Sequence, residues 1–338
     1  MKKSMYTNKK ILIIGGTGTI GRYLTKELLT HNPNVIRIFS RDEYKQFEMQ
    51  QELQEFKNIR YLIGDVRDEK RVSRAMEDID YVFHLAAMKQ VPACEYNPFE
   101  AVQTNVLGTQ NVIQAALEAK VKKVLFTSTD KAIAPSNTYG ATKLTAERLI
   151  SATEFQKGPK ETIFSSVRFG NVMGSRGSVI PLFKKQILSK KMISVTDMNM
   201  LRYMMTPSQA ISLILKANEM AFGGEVFVLK LPVIKLQDLV EVLIEEVKKK
   251  YQLMGSIQIH QIGLRPGEKM YEELMTENEA NIALETKEIY IILPPYGGKG
   301  RQYPRTIVRD KNQVISPLNK IAISKDVLKK WLLDDNLI

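Results

Sequence analysis

Tyr139 and Lys143 stand four residues apart, a spacing that places both on one face of a helix. An ammonium beside a phenol favours the phenolate, so the pair reads as a base able to take a hydroxyl proton near neutral pH. With a nicotinamide nearby, such a base oxidises alcohols. On a plain surface helix the same spacing means only a snorkelling lysine; the setting separates the two readings. Lys123-Val124-Leu125-Phe126 reads as a buried strand, and Ser128-Thr129-Asp130-Lys131 falls at its C-terminal end. Ligands of open α/β sheets bind outside the carboxyl ends of strands. Thr129, Asp130, Lys131, Tyr139 and Lys143 are therefore the candidate catalytic residues.

The elements that must position them alternate. Lys10-Ile11-Leu12-Ile13-Ile14 reads as a first strand, and Gly15-Gly16-Thr17-Gly18-Thr19-Ile20-Gly21 leads from it into a helical pattern through Leu29. Strand, glycines and helix in this order form a dinucleotide site, with Gly15, Gly18 and Gly21 for the turn, the close approach of a pyrophosphate and the helix packing. The spacing is GxxGxxG rather than GxGxxG; Thr17, Thr19 and Ile20 complete the candidate contacts. A second strand, Val35 to Phe39, ends at Ser40-Arg41-Asp42-Glu43, with Lys45 close behind. A hydroxyl plus an arginine suits a 2′-phosphate, so NADP is expected over NAD, with Asp42 the competing ribose ligand. Asp65-Val66 ends a third strand where adenine would lie, and Leu85-Ala86-Ala87 ends a fourth, small enough for a cofactor to pass. Asn105, in a long helical pattern from Phe99 to Leu117, is a further cofactor candidate. The expectation is an α/β fold with a Rossmann-type doubly wound parallel sheet and a smaller C-terminal α/β lobe. Residues 8–172, with about 206–230 returning, would form the cofactor-binding domain; 173–205 and 231–338 would form the lobe. Residues 295–304, rich in Gly, Pro and Tyr, read as a mobile loop.

At 338 residues, 44% hydrophobic and 25% charged, the chain can bury a large core. It shows no apolar run of signal or membrane-span length, so cytoplasmic residence without membrane insertion is expected. Cys94 is the single cysteine, and His31, His84 and His260 lack metal-ligand spacing, so neither an internal disulfide nor a metal site is expected. The net charge of +12 comes from dispersed lysines, and the Lys248-Lys249-Lys250 run closes an amphipathic helix, where cations suit the dipole. A nucleic-acid partner is not expected.

Five further motifs carry a resemblance: Ser128-Thr129-Asp130-Lys131-Ala132, Tyr139-Gly140-Ala141-Thr142-Lys143, Arg168-Phe169-Gly170-Asn171-Val172, Gly174-Ser175-Arg176-Gly177-Ser178 and Arg265-Pro266-Gly267-Glu268-Lys269. From about Lys10 to about Leu274 the chain resembles the extended short-chain dehydrogenase/reductases, and within them the soluble bacterial UDP-N-acetylglucosamine 4,6-dehydratases. The resemblance implies a tightly bound NADP recycled in each turnover. It implies that Tyr139 takes the sugar C4 hydroxyl proton during oxidation, Lys131 removes the C5 proton, and Asp130 protonates the departing C6 hydroxyl. Lys131 would need its charged form disfavoured by burial and nearby cations. Lys89, Asn171, Val179, Arg202, Arg265 and Glu268 match positions that hold the UDP-sugar. The chain departs from the family pattern at Gln90, Ala134 and Leu201. Pairing through the helices at Phe99–Leu117 and Asn137–Ala152, as a homodimer or hexamer, is implied in the same way.

Two other readings compete. A nucleotide-sugar 4-epimerase needs the Tyr-Lys pair but gains nothing from Asp130-Lys131. A cofactor-binding sensor on the same fold needs neither pair.

Overall fold

Along β1 (Lys10–Ile14) successive side chains turn to opposite faces: Ile11 and Ile13 enter one apolar core, Leu12 and Ile14 another. A strand covered on both faces reads as an unbroken apolar run, which is the pattern seen here. The computed structural model describes residues 4–296, 303 and 317–338. In it α1 (Thr19–Thr30) leads to β2 (Val35–Ser40), α2 (Glu43–Glu52) to β3 (Ile59–Ile63), and α3 (Glu69–Met76) to β4 (Tyr81–His84). Short helices α4 (Val91–Tyr96) and α5 (Pro98–Val102), a π-helical turn (Gln103–Leu107) and α6 (Gly108–Glu118) precede β5 (Lys123–Thr129). A 3-10 turn (Asp130–Ala132) and α7 (Thr138–Gln156) then lead to β6 (Ile163–Phe169).

These strands pair in the order β3-β2-β1-β4-β5-β6, parallel throughout. The chain winds outward from β1 through β3, then crosses to the other side of β1 to lay down β4. A crevice opens at such a switch point, beyond the strand ends. Those ends are Gly15 after β1 and Leu85 after β4, where the sequence places its glycine turn and its small residues.

After β6 come β7 (Asn171–Val172), α8 (Val179–Lys190), β8 (Met192–Val195) and β9 (Leu201–Met205). Helix α9 (Pro207–Met220) and β10 (Val226–Leu229) return to the large sheet, β10 lying parallel to β6. Then follow β11 (Val233–Lys235), α10 (Leu236–Tyr251), β12 (Gln258–Gln261), α11 (Glu277–Ile282), β13 (Leu284–Glu285), β14 (Ile289–Ile292) and α12 (Lys325–Asp334). The lobe has its own sheets, β11-β9-β7 and β12-β8, and its own core, in which Phe183, Ile187, Val240, Leu243, Leu328 and Leu332 pack together.

The lobe is smaller than the sequence implies. β14 pairs antiparallel with β10, and β13 with β14, so residues 284–292 widen the large sheet to nine strands and bury Ile289 and Ile291 in its core. An apolar run as short as Ile289–Ile292 fits either body; pairing with β10 decides it. Of the 295–304 stretch, residues 297–302 and 304 lie outside the described residues, while Tyr303 is buried and donates its hydroxyl to Glu225 at 2.6 Å. Among the described residues no helix is long and apolar enough to cross a membrane.

Candidate active site

Gly15 has φ of 82°, and a Cβ there would stand 2.7 Å from the Ala86 nitrogen. Only glycine fits this left-handed turn pressed against the end of β4. A Cβ at Gly21 would drive into the Gly16 backbone, so α1 packs tightly on the turn that precedes it. The result is a cleft of about 510 Å³ over the switch point. Thr17, Gly18, Thr19 and Ile20 line it, with Ser40, Arg41 and Lys45 from the β2 tip, Asp65 and Val66 after β3, and Leu85, Ala86 and Ala87 after β4. Thr129, Lys131, Tyr139 and Lys143 close its far end. A dinucleotide fits this lining: glycine backbone sits where phosphate must approach, and the buried hydroxyls of Thr104 and Ser128 point to no protein partner.

At the β2 tip, Asp42 caps α2, accepting the Lys45 N–H at 3.0 Å, and pairs with the Lys45 ammonium. Asp42 is thus engaged by its own helix. Arg41 is over half exposed and only 3.5 Å from Asp65, whose carboxylate also takes the Arg67 guanidinium at 2.8 Å. Asn105 is a departure from expectation. The π-helical turn carries it inward, where Oδ1 accepts the Met88 N–H at 2.8 Å and Nδ2 donates to Met88 O and Thr142 Oγ1, each at 3.0 Å. Its hydrogen-bonding capacity is used in fixing the loop after β4, and its neighbour Thr104 lines the cleft instead.

The catalytic candidates come together. Asn137 accepts the Gly140 N–H at 2.8 Å and so starts α7, placing Tyr139 in its first turn. Thr129 Oγ1 lies 3.0 Å from Asp130 Oδ1, and its hydroxyl favours the ionised form of the Tyr139 phenol. One hydroxyl carries one proton, so Thr129 donates to Asp130 or to a Tyr139 phenolate, never to both at once. Lys131 Nζ donates to Asp130 Oδ1 at 3.1 Å and stands 3.7 Å from Glu272, a buried residue of the lobe.

Two electrostatic expectations need correction. Burial pushes the Tyr139 phenol up to about 12, with Thr129 and the Lys131 charge pulling against it. Lys143 is not the strong cation expected beside it. Its amine is buried 3.9 Å over the Phe126 ring, and burial, resisted by Glu147, brings it down to about 7. The cation that serves Tyr139 is Lys131. Lys131 in turn is not held neutral: burial works that way, but Asp130 and Glu272 outweigh it and keep the ammonium above its ordinary pKa.

A second cleft of about 260 Å³ adjoins the first, and Lys89, Lys131, Asn171, Gly177 and Ser178 face both. Val179, Arg202, Arg265, Glu268 and Glu272 line it. Burial and Arg176 push the Lys89 ammonium down. Arg202 is already engaged, donating to Met270 O and Lys269 O at 2.8 Å each, and Glu268 accepts the Arg265 N–H at 3.1 Å. Both therefore hold the 265–270 loop in shape. Sequence reasoning overlooked Thr104, Arg176, Ser178 and Glu272 as individual lining residues. Arg176 and Ser178 lie inside the Gly174-Ser175-Arg176-Gly177-Ser178 motif; the Arg176 N–H donates to Thr19 Oγ1 at 3.2 Å and carries this loop across to the glycine turn.

Fold and site together define a dinucleotide-binding α/β protein of the extended short-chain dehydrogenase/reductase kind. The chain belongs to the polysaccharide biosynthesis protein family, whose model matches residues 11–294. It is similar to the solved X-ray structure of Pen from Bacillus thuringiensis, with 55% identity and a TM-score of 0.92 over 99% of both chains. A UDP-N-acetylglucosamine 4,6-dehydratase (inverting) of Campylobacter jejuni is 40% identical over 99% of this chain and 97% of its own. A UDP-glucose 4-epimerase of Rickettsia conorii is also 40% identical, over 92% of this chain and 89% of its own.

Proposed function

We propose that the chain is an NADP-dependent UDP-N-acetylglucosamine 4,6-dehydratase, a hydro-lyase yielding a UDP-6-deoxy-4-keto-N-acetylhexosamine for surface-sugar synthesis. The observation that carries this is the Asp130-Lys131 pair, in hydrogen-bond contact with each other and with Thr129, at the junction of the two clefts. An enzyme that only oxidises and re-reduces C4 has no use for it.

Gly15, Thr17, Gly18, Thr19, Ile20 and Gly21 would hold the cofactor pyrophosphate, Val66 the adenine, and Ser40 and Arg41 the 2′-phosphate. When bound, the nicotinamide supplies a reversible hydride acceptor for the sugar C4 and donor for C6. Tyr139 takes the C4 hydroxyl proton, its phenolate assisted by Thr129 and the Lys131 charge. Lys143, buried in the same cleft, would meet the cofactor ribose. The 4-ketone acidifies the C5 hydrogen; Lys131 takes that proton, a C5–C6 double bond forms, and the C6 hydroxyl leaves as water with a proton from Asp130; the return of hydride to C6 would then be matched by a proton delivered from Lys131 to C5. Lys131 Nζ and Asp130 Oδ1 are 3.1 Å apart, a hydrogen bond along which a proton can pass. One transfer along that contact readies both groups. Lys89, Asn171, Val179 and Arg265 would hold the UDP portion, on a scaffold braced by Arg202 and Glu268.

Exposed Tyr96 and Phe99, on α4 and α5, support a homo-oligomer closed over this face. The similarity to an epimerase keeps 4-epimerisation as the second reading. Turnover of UDP-N-acetylglucosamine in deuterated water separates them: elimination leaves deuterium at C5 of the product, whereas epimerisation leaves C5 protonated.

A further inference from the structure

Glu272 is 5% exposed, and the elimination chemistry assigns it nothing. Its carboxylate lies 3.7 Å from Lys131 Nζ, and it reaches that point from the lobe, whereas Lys131 belongs to the large sheet. The loop that carries it is fixed from three directions. Arg202 of β9 donates to Met270 O and Lys269 O; Lys269 Nζ donates to Ala134 O at 2.7 Å; Ser136 and Asn137 donate to Gly267 O, each at 3.1 Å. A buried carboxylate costs stability unless cations face it, and those facing this one are Lys131, Arg202 and Lys269, with Asp130 the opposing acid. Lys131 is faced by Asp130 beside it, by Tyr139 of α7 and by Glu272.

Resting on the dehydratase reading, we infer that Glu272 is a positioning residue for the elimination step, holding the Lys131 amine at the cleft junction from the substrate-lobe side. Asp130 alone would leave that amine free to swing about one contact; Glu272 gives it a second, so the nitrogen is fixed between two carboxylates. Burial pushes the Glu272 carboxyl above its ordinary pKa, with Lys131, Arg202 and Lys269 pulling against it; in its ionised form it makes protonation of the Lys131 amine easier. Replacing it with a neutral group of the same shape must therefore move the pair's pH profile to lower pH, besides loosening the amine.

The test is solvent-deuterium incorporation at C5, followed by NMR with UDP-N-acetylglucosamine across neutral pH, on the holoenzyme and its Glu272→Gln and Glu272→Asp variants. In Glu272→Gln the profile shifts to lower pH and its plateau falls by more than the absorbance change that reports C4 oxidation. In Glu272→Asp, which keeps the charge and shortens the reach, the plateau falls and the profile stays. A Glu272→Gln profile unmoved or moved to higher pH overturns the inference, whatever its plateau. So does equal loss of C4 oxidation in both variants, which marks a general structural role. If the wild type dehydrates normally under either result, only the role of Glu272 falls; if the wild type neither exchanges C5 nor loses water, the dehydratase reading falls with it.

Discussion

A four-residue spacing puts Tyr139 and Lys143 on one face of α7, yet the two side chains meet different surroundings. Lys143 is 2% exposed over Phe126, and its depressed pKa has a consequence for stability. Between about 7 and 10.5 the unfolded chain binds a proton at Lys143 that the folded chain does not, so this residue makes stability rise with pH across that window. Lys143→Met removes the term. Urea midpoints measured from pH 7 upward should climb more steeply in the wild type than in the variant; parallel slopes would contradict the burial argument. At the other end of the cleft, Arg41 is an exposed guanidinium next to Ser40, while Asp42 is held by α2. Arg41→Ala should weaken binding of NADP about tenfold or more and leave NAD nearly unchanged, as one charge-assisted phosphate contact is worth roughly 1.5–3 kcal/mol. Titration with each nucleotide checks this, and equal losses for both would count against the 2′-phosphate assignment.

At the scale of elements, the glycine turn, the β-strand tips and the Asp130-Lys131 turn were legible because each is a local pattern, read within a few residues. Thr104 was not, because the π-helical turn rotates Asn105 inward by a local irregularity that a helical period cannot show. Glu272 was hidden for another reason: its partner lies in a different lobe, and no spacing in the sequence joins them. β13 and β14 likewise became visible only through pairing with β10. Ala134 sits at φ 40°, a left-handed position that costs a non-glycine residue roughly 1–2 kcal/mol. Ala134→Asn should recover up to about 1 kcal/mol, seen as a higher denaturation midpoint, since Asn tolerates that conformation.

A buried ion cluster ties the elements together. Arg168 of β6, 2% exposed, donates to both oxygens of Glu147 on α7, at 2.6 and 3.0 Å, and to Glu279 on α11 at 2.7 and 2.8 Å. Glu147 lies one turn beyond Lys143, so this clamp sets the helix that carries the candidate catalytic pair. Arg168→Met leaves two carboxylates facing each other and should cost about 3–5 kcal/mol. Equilibrium unfolding of the variant measures it; a loss under about 1 kcal/mol would mean that the cluster contributes little beyond packing.

For the whole molecule, two bodies meet along one line: the large sheet supplies the glycine turn, Tyr139 and the Asp130-Lys131 turn, and the lobe supplies Arg202, Arg265, Glu268 and Glu272. Loop 265–272 docks on residues 133–137, so whatever the lobe binds lies against Asp130 and Lys131. Dispersed lysines give the chain its charge of +12, which suits a substrate carrying a diphosphate. The central claim is that this junction eliminates water from a UDP-sugar without consuming reducing equivalents. Mass spectrometry of UDP-N-acetylglucosamine incubated with the purified protein tests it most directly. A product lighter by one water, formed with no net appearance of NADPH, is expected; quantitative conversion to an isomer of unchanged mass would rule the elimination out.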